Sequence, residues 1–274
     1  MKMVWVLVAA ACSVQAWSAE PSPSADEAYK RAVSAIEKRQ ENRRSATPEV
    51  GCPSGNRAGT VPVRRLPVED VNGNPIRAEG AILHHWGGSI FIPHARPQDV
   101  VAVLQDYDHH AEIYAPDVKS SKLLDRHGEH YHVVHETLTR NVINVGLRIE
   151  SSVDWSSDGH DGFLSHSTTI RVNEYEHAGT QHARLRTPQQ AKGWMWAEDS
   201  WWRVAPSKDG ACVTYETLAL TRDIPWGFGW VLRPLVDHFP PKTVANMLTR
   251  TRDAVESREA HGNLDDSRGK QSGP

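Results

Sequence analysis

None of the short motifs that mark familiar catalytic chemistry occurs in this chain. It has no G-x-S-x-G elbow, no H-E-x-x-H pair, no Walker loop and no dinucleotide fingerprint. That counts against a hydrolase, a metalloprotease or a nucleotide enzyme of familiar type. An excess of one charge is lacking too: 31 Lys and Arg stand against 34 Asp and Glu, a net charge of -3, so nothing draws the protein to nucleic acid or to an acidic substrate. Past the first nineteen residues no stretch is long and apolar enough to cross a bilayer. Phenylalanine is scarce, at four, but tryptophan is not, at ten; each Trp offers a large apolar area with one N–H to place. The 274 residues suffice for a sizeable core in one large domain or two small ones.

Residues 1–19 carry one early positive charge, Lys2, then the apolar run MVWVLVAAA and small residues at Ala16 and Ala19. This pattern predicts a secretory signal peptide cut near 16 or 19, and hence a periplasmic or secreted protein. A lipoprotein signal ending at Cys12 is the competing reading, and it lacks the usual aliphatic residue three positions earlier. Residues 20–78 divide into a helix over 24–44 and an irregular linker or surface-hugging loop. Ser24 and Glu27 have capping-box spacing, and Ala25, Ala28, Tyr29, Ala32, Val33 and Ile36 line one side of the helix. Export would leave Cys52 and Cys212 as the cysteines of the mature chain. Both a disulfide between them and two free thiols are open, because spacing does not give the Cα separation a bridge needs.

A core domain is expected over 79–259, followed by a disordered tail over 260–274 of solvated composition. Its first strand, AILHHWGGSIFIP, carries a Gly87-Gly88 pair that predicts a bulge or sharp bend. Two short helices follow, and then strands near 119–126, 129–140, 144–155 and 163–175. Within 144–155, Val145, Leu147, Ile149, Val153 and Trp155 share one face, and Arg148, Glu150 and Asp154 the other. The stretch 193–230 reads as two long strands reversed by Pro206 with Asp209-Gly210, then a turn, IPWGFGW, ahead of a long amphipathic helix. Period two places Trp194, Trp196, Glu198, Ser200 and Trp202 on one face.

The run SWWRV, the hairpin, TYETLALTRDIPWGFGWVLRPLV and the closing NMLTRTRDAV resemble the end of START-like proteins of the polyketide cyclase/dehydrase and lipid-transport superfamily. The resemblance spans roughly residues 79–258. It implies an α+β helix-grip fold, a curved antiparallel sheet wrapped around a long C-terminal helix, with a hydrophobic pocket between them. The family includes carriers, cyclases and proteins without a known ligand.

From the residues and the resemblance together, the pocket candidates are Trp194, Trp196, Trp202, Arg203, Glu216, Arg222, Trp226, Phe228, Val145, Leu147 and Ile149. Arg203 and Arg222 match YWR-like and LTR-like positions of the family and would either hold a ligand head group or form structural ion pairs. Trp226 and Phe228, between glycines, suit either an apolar flap that touches a membrane surface or rings packed under the helix start. His130 and His132 share a strand face, but no carboxylate or cysteine at ligand spacing completes a metal set, and no cofactor is expected. The reading is an exported, non-enzymatic binding or transport protein for a hydrophobic or amphipathic small molecule. A cyclase or aromatase-like enzyme and a protein-interaction module with a collapsed pocket are the alternatives.

Overall fold

A computed structural model describes residues 20–44, 61–140, 144–223 and 241–260. Residues 1–19, read as a signal peptide, and Cys52, Trp226, Phe228 and the tail beyond residue 260 lie outside the described residues, as does Cys12. The first helix, α1 (Pro23–Arg44), starts one residue ahead of the predicted capping box. Ser22 accepts the Ala25 N–H through Oγ at 3.2 Å, and Pro23, whose missing N–H costs nothing in the first turn, opens the helix.

A nine-stranded antiparallel sheet follows: β1 (Val63–Arg65), β2 (Ala81–Pro93), β3 (Val118–His127), β4 (His130–Thr139), β5 (Val145–Ser157), β6 (Phe163–Glu176), β7 (Arg184–Leu185), β8 (Ala197–Ser207) and β9 (Gly210–Arg222). Its order is β1-β2-β9-β8-β6-β5-β4-β3, with β7 on β6. The segment expected to be a linker thus contributes the edge strand β1, paired to Trp86–Gly88 of β2. Helices α2 (Pro97–Leu104) and α3 (His110–Ile113) fill the connection from β2 to β3. A last helix, α4, is described over 241–260.

The predicted bulge at Gly87-Gly88 is absent. Pairing of β2 with β9 runs unbroken from Ala81 opposite Arg222 to Pro93 opposite Gly210. The glycines serve close approach instead: a Cβ on Gly87 would stand 2.9 Å from Leu66 Cδ1, and one on Gly88 3.0 Å from Leu248 Cδ1 of α4. The β8–β9 reversal lies where expected, Ser207 opposite Gly210, with Asp209 at φ +66°.

Both faces of the sheet are covered. On the inner face Tyr131, Val133, Val153, Trp155, Trp202, Val204, Val213 and Tyr215 pack with Val100, Val103 and Leu104 of α2 and with Val244, Leu248 and Val255 of α4. On the outer face Tyr29, Ala32 and Ile36 of α1 pack on Leu83, Trp201, Leu218 and Leu220. Each large side chain buried this way contributes about 1.5–3 kcal/mol, so α1 is held to the sheet by more than its own helix propensity. α4 is tied at three points: Asn246 Nδ2 donates to Asp117 at 2.8 Å, Tyr114 and Thr251 hydroxyls lie 3.0 Å apart, and Arg258 reaches Asp106.

Candidate functional site

Strand alternation sorts the predicted pocket residues into two groups. Val145, Leu147 and Ile149 lie on the inner face with Val153 and Trp155, and Trp202 is there as well, its ring 4.3 Å from that of Tyr215. The others lie elsewhere. Arg203, next to Trp202, faces outward, its Nη2 3.9 Å from Asp158 Oδ2. Glu216, next to Tyr215, accepts hydrogen bonds at 2.7 Å from His85 Nε2 and from Gln40 Nε2 of α1. Arg222 is also on the outer face, where its Nη1 donates to the Lys192 carbonyl at 3.2 Å. Trp194 and Trp196 precede β8, so its alternation does not extend to them. Trp196 packs with the α1-side cluster, and the Trp194 N–H donates to Glu174. The candidates drawn from motif similarity were grouped without regard to face, and a one-residue step in a strand moves a side chain through the sheet.

The inner face carries polar groups among its apolar ones. Glu198 of β8 accepts a 2.7 Å hydrogen bond from Thr217 of β9. Burial raises the Glu198 pKa, and the neighbouring Asp199 adds to the rise against the lowering effect of Thr217. Ser200 and Thr217 flank the Tyr215 hydroxyl, whose pKa burial also raises. Tyr114, beside Thr251 of α4, is pushed up to about 12 by burial.

Across the same face, His110 of α3 and His135 of β4 form a relay. His110 Nε2 lies 3.1 Å from the Leu104 carbonyl and Nδ1 lies 3.0 Å from His135 Nε2. The ring centroids are 5.3 Å apart and the planes within 19°. The gap between those two distances is what two ring radii take up, so the rings meet edge to edge. Burial lowers the pKa of His110 to about 3 and that of His135 to about 4, with the His135 ring adding to the effect at His110. Both rings are neutral at physiological pH. Three further inner-face atoms are buried without a partner: Trp86 Nε1, Tyr131 Oη and Ser165 Oγ.

The outer face is arranged differently. Tyr29 of α1 donates to Asp199 at 2.5 Å, and Asp199 also contacts His166 Nε2 at 2.7 Å and Thr168 Oγ1 at 3.0 Å. A cleft of about 180 Å³ lies at the end of α1, between Glu37 and Gln40 on one side and His166, Leu164 and Trp201 on the other. His130 and His132, considered as metal ligands, instead pair with Asp154 at 2.7 Å and Glu150 at 2.9 Å on the neighbouring strand. Cys212 is disulfide-bonded, and both other cysteines of the chain lie outside the described residues.

No protein-family model and no curated protein sequence matches this chain. Solved structures do. Human STARD10 aligns with a TM-score of 0.51 at 11% identity, over 83% of this chain and 82% of that one. A STAR-related lipid transfer protein fragment from Xanthomonas axonopodis aligns at 0.46 and 19% identity, over 66% and 96%. The Zhui aromatase/cyclase from a Streptomyces species aligns at 0.46 and 11%, over 65% and 96%. On the STARD10 alignment and its own topology, the chain has the START-like helix-grip fold, α+β with a curved antiparallel sheet, as its C-terminal motifs led one to expect. The extra α1 covers the back of that sheet.

Sequence reasoning identified Glu198 and Ser200 by alternation but missed Thr217, Tyr215, His110 and Tyr114. Thr217 and Tyr215 were legible in principle, since odd positions of β9 lie opposite even positions of β8. The His110–His135 contact joins residues of a turn and a strand, and no local pattern signals it.

Proposed function

We propose that the protein binds, and carries, a hydrophobic or amphipathic small molecule between the inner face of the sheet and α4, in the periplasm or outside the cell. One observation carries the reading: polar groups on the inner face, His135 and Glu198, keep accessible surface and, among the described residues, an unused polar atom each, amid apolar walls. A dry core would pair such groups or exclude them, whereas a ligand site needs a few of them to fix orientation. The structural likeness to human STARD10 supports the fold on which the reading rests. The N-terminal run to Ala16 and Ala19 supports export.

Native mass spectrometry of protein purified after expression with its own leader tests both parts. An intact mass lacking the first sixteen or nineteen residues, together with a stoichiometric added mass extractable into organic solvent, is the expected result. A full-length mass recovered from the cytoplasm sinks export. A clean apo mass that persists after incubation with membrane extract sinks ligand binding.

A further inference from the structure

The hydrogen-bond relay on the inner face has a direction. The Leu104 carbonyl can only accept, so His110 Nε2 carries the proton. A neutral His110 then has a bare Nδ1, which accepts from His135 Nε2–H. A neutral His135 with its proton on Nε2 has a bare Nδ1 on the other side of the ring. That atom has no partner among the described residues, while the ring is only partly buried. Three strands away, across β5 and β6, Glu198 uses one carboxyl oxygen for Thr217 and, among the described residues, leaves the other without a partner. At about 4.8 Å per strand, the two strands that carry these acceptors are roughly 14 Å apart across the sheet.

On the same surface, positive charge is missing from the strands that carry these acceptors; the cation of β3 there, Arg126, lies over the Tyr131 ring at 4.7 Å, four residues along β4 from His135, and pairs with Glu129. Register puts the arginines of β5, β6, β8 and β9, namely Arg148, Arg171, Arg203 and Arg222, on the outer face, and none of these strands or β4 contains a lysine. Arg148 and Arg171 are engaged there with Glu136 and Glu150. A carboxylate or phosphate head entering the interior would therefore leave water without a cationic partner from these strands, which is the costly case for a buried charge. A quaternary ammonium would find aromatic rings but could donate no hydrogen bond to either open acceptor.

We infer that the interior site takes an uncharged amphiphile whose polar end is a hydroxyl, an aliphatic or aromatic alcohol, donating its hydrogen bond to His135 Nδ1. This rests on the ligand-binding reading above and specifies the ligand class. The prediction is asymmetric: removing the ring nitrogens at 135 should cost the alcohol its advantage and leave apolar binding intact.

Displacement of protein-bound Nile red, a neutral apolar dye, by dodecanol, dodecanoate and dodecyltrimethylammonium tests it at neutral pH, below micelle-forming concentrations. The alcohol should displace the dye at about tenfold lower concentration than either charged chain, the effect of one satisfied hydrogen bond against an unpaired group. In His135→Phe, dye binding should persist and the alcohol's advantage should shrink to about twofold. Equal potency of the three chains, tighter binding of the anion, or an unchanged preference in His135→Phe would each overturn the assignment. Failure to bind Nile red at all would instead overturn the ligand-binding reading. The comparison of chains on the wild-type protein remains decisive if the variant folds poorly.

Discussion

Two patches of this sheet, one under α1 and one on the inner face, bury polar groups by opposite rules. Under α1, each donor or acceptor of the Tyr29, Asp199, His166, Thr168 set and of the Gln40, Glu216, His85 set meets another at hydrogen-bond distance. Under α2, α3 and α4, Trp86, Tyr131 and Ser165 each bury a polar atom without a partner, and His135 and Glu198 each keep one open. Closed networks fix a helix to a sheet; open ones leave hydrogen-bonding capacity for something that arrives later. Of the charged residues that first looked functional, Glu216 and Arg222 belong to the closed side; Arg203 lies on that face too, 3.9 Å from Asp158, whose buried Oδ2 makes no hydrogen bond there.

That contrast can be broken in four places. The largest effect is expected at Asp199→Ala, which strips a buried acceptor from Tyr29, His166 and Thr168 at once. Urea denaturation should show a loss of about 3 kcal/mol. Next comes acidification. His110 and His135 have folded pKa values below the unfolded value, so the unfolded chain binds more protons and stability falls as pH drops below about 6.5, levelling off only at about 3 to 4. Thermal melts between pH 7 and pH 5.5 should record a loss of about 2.5 kcal/mol, and His135→Phe should make it shallower by about half, because one fewer neutral histidine must charge. Gln40→Ala, at the more exposed end of α1, should cost about 1 kcal/mol by the same urea assay. Ser165→Ala should be the smallest and of the other sign: removing an unpaired buried hydroxyl should leave stability within about 0.5 kcal/mol or raise it. A loss of several kcal/mol there would mean that the inner face is satisfied after all.

Most of the architecture was legible in the residues. Strand order along the chain, the β8–β9 reversal and the half-buried character of β5 follow from period-two alternation and turn chemistry, which act locally. The edge strand β1 was not, because three residues, Val63–Arg65, are too few to show a period. The candidate site was half legible. Alternation brought Trp202, Glu198 and Ile149 to one face. It misled beyond the start of β8, where Trp196 turns to the α1 cluster, and it could not show that His110 and His135 meet. Contacts between residues from different elements have no period to read.

The backing helix also has a mechanical consequence. With α1 bolted to the rear by Tyr29 at one point and Gln40 at another, the middle of the sheet acts as a stiffened plate, and a molecule reaching the inner face must displace what lies in front of it. Among the described residues the polar fastenings of α4 are Asn246, Thr251 and Arg258, beside its buried Val244, Leu248 and Val255. Admission through a movement of α4 predicts that amide exchange is quicker along 241–260 than along β8 and β9.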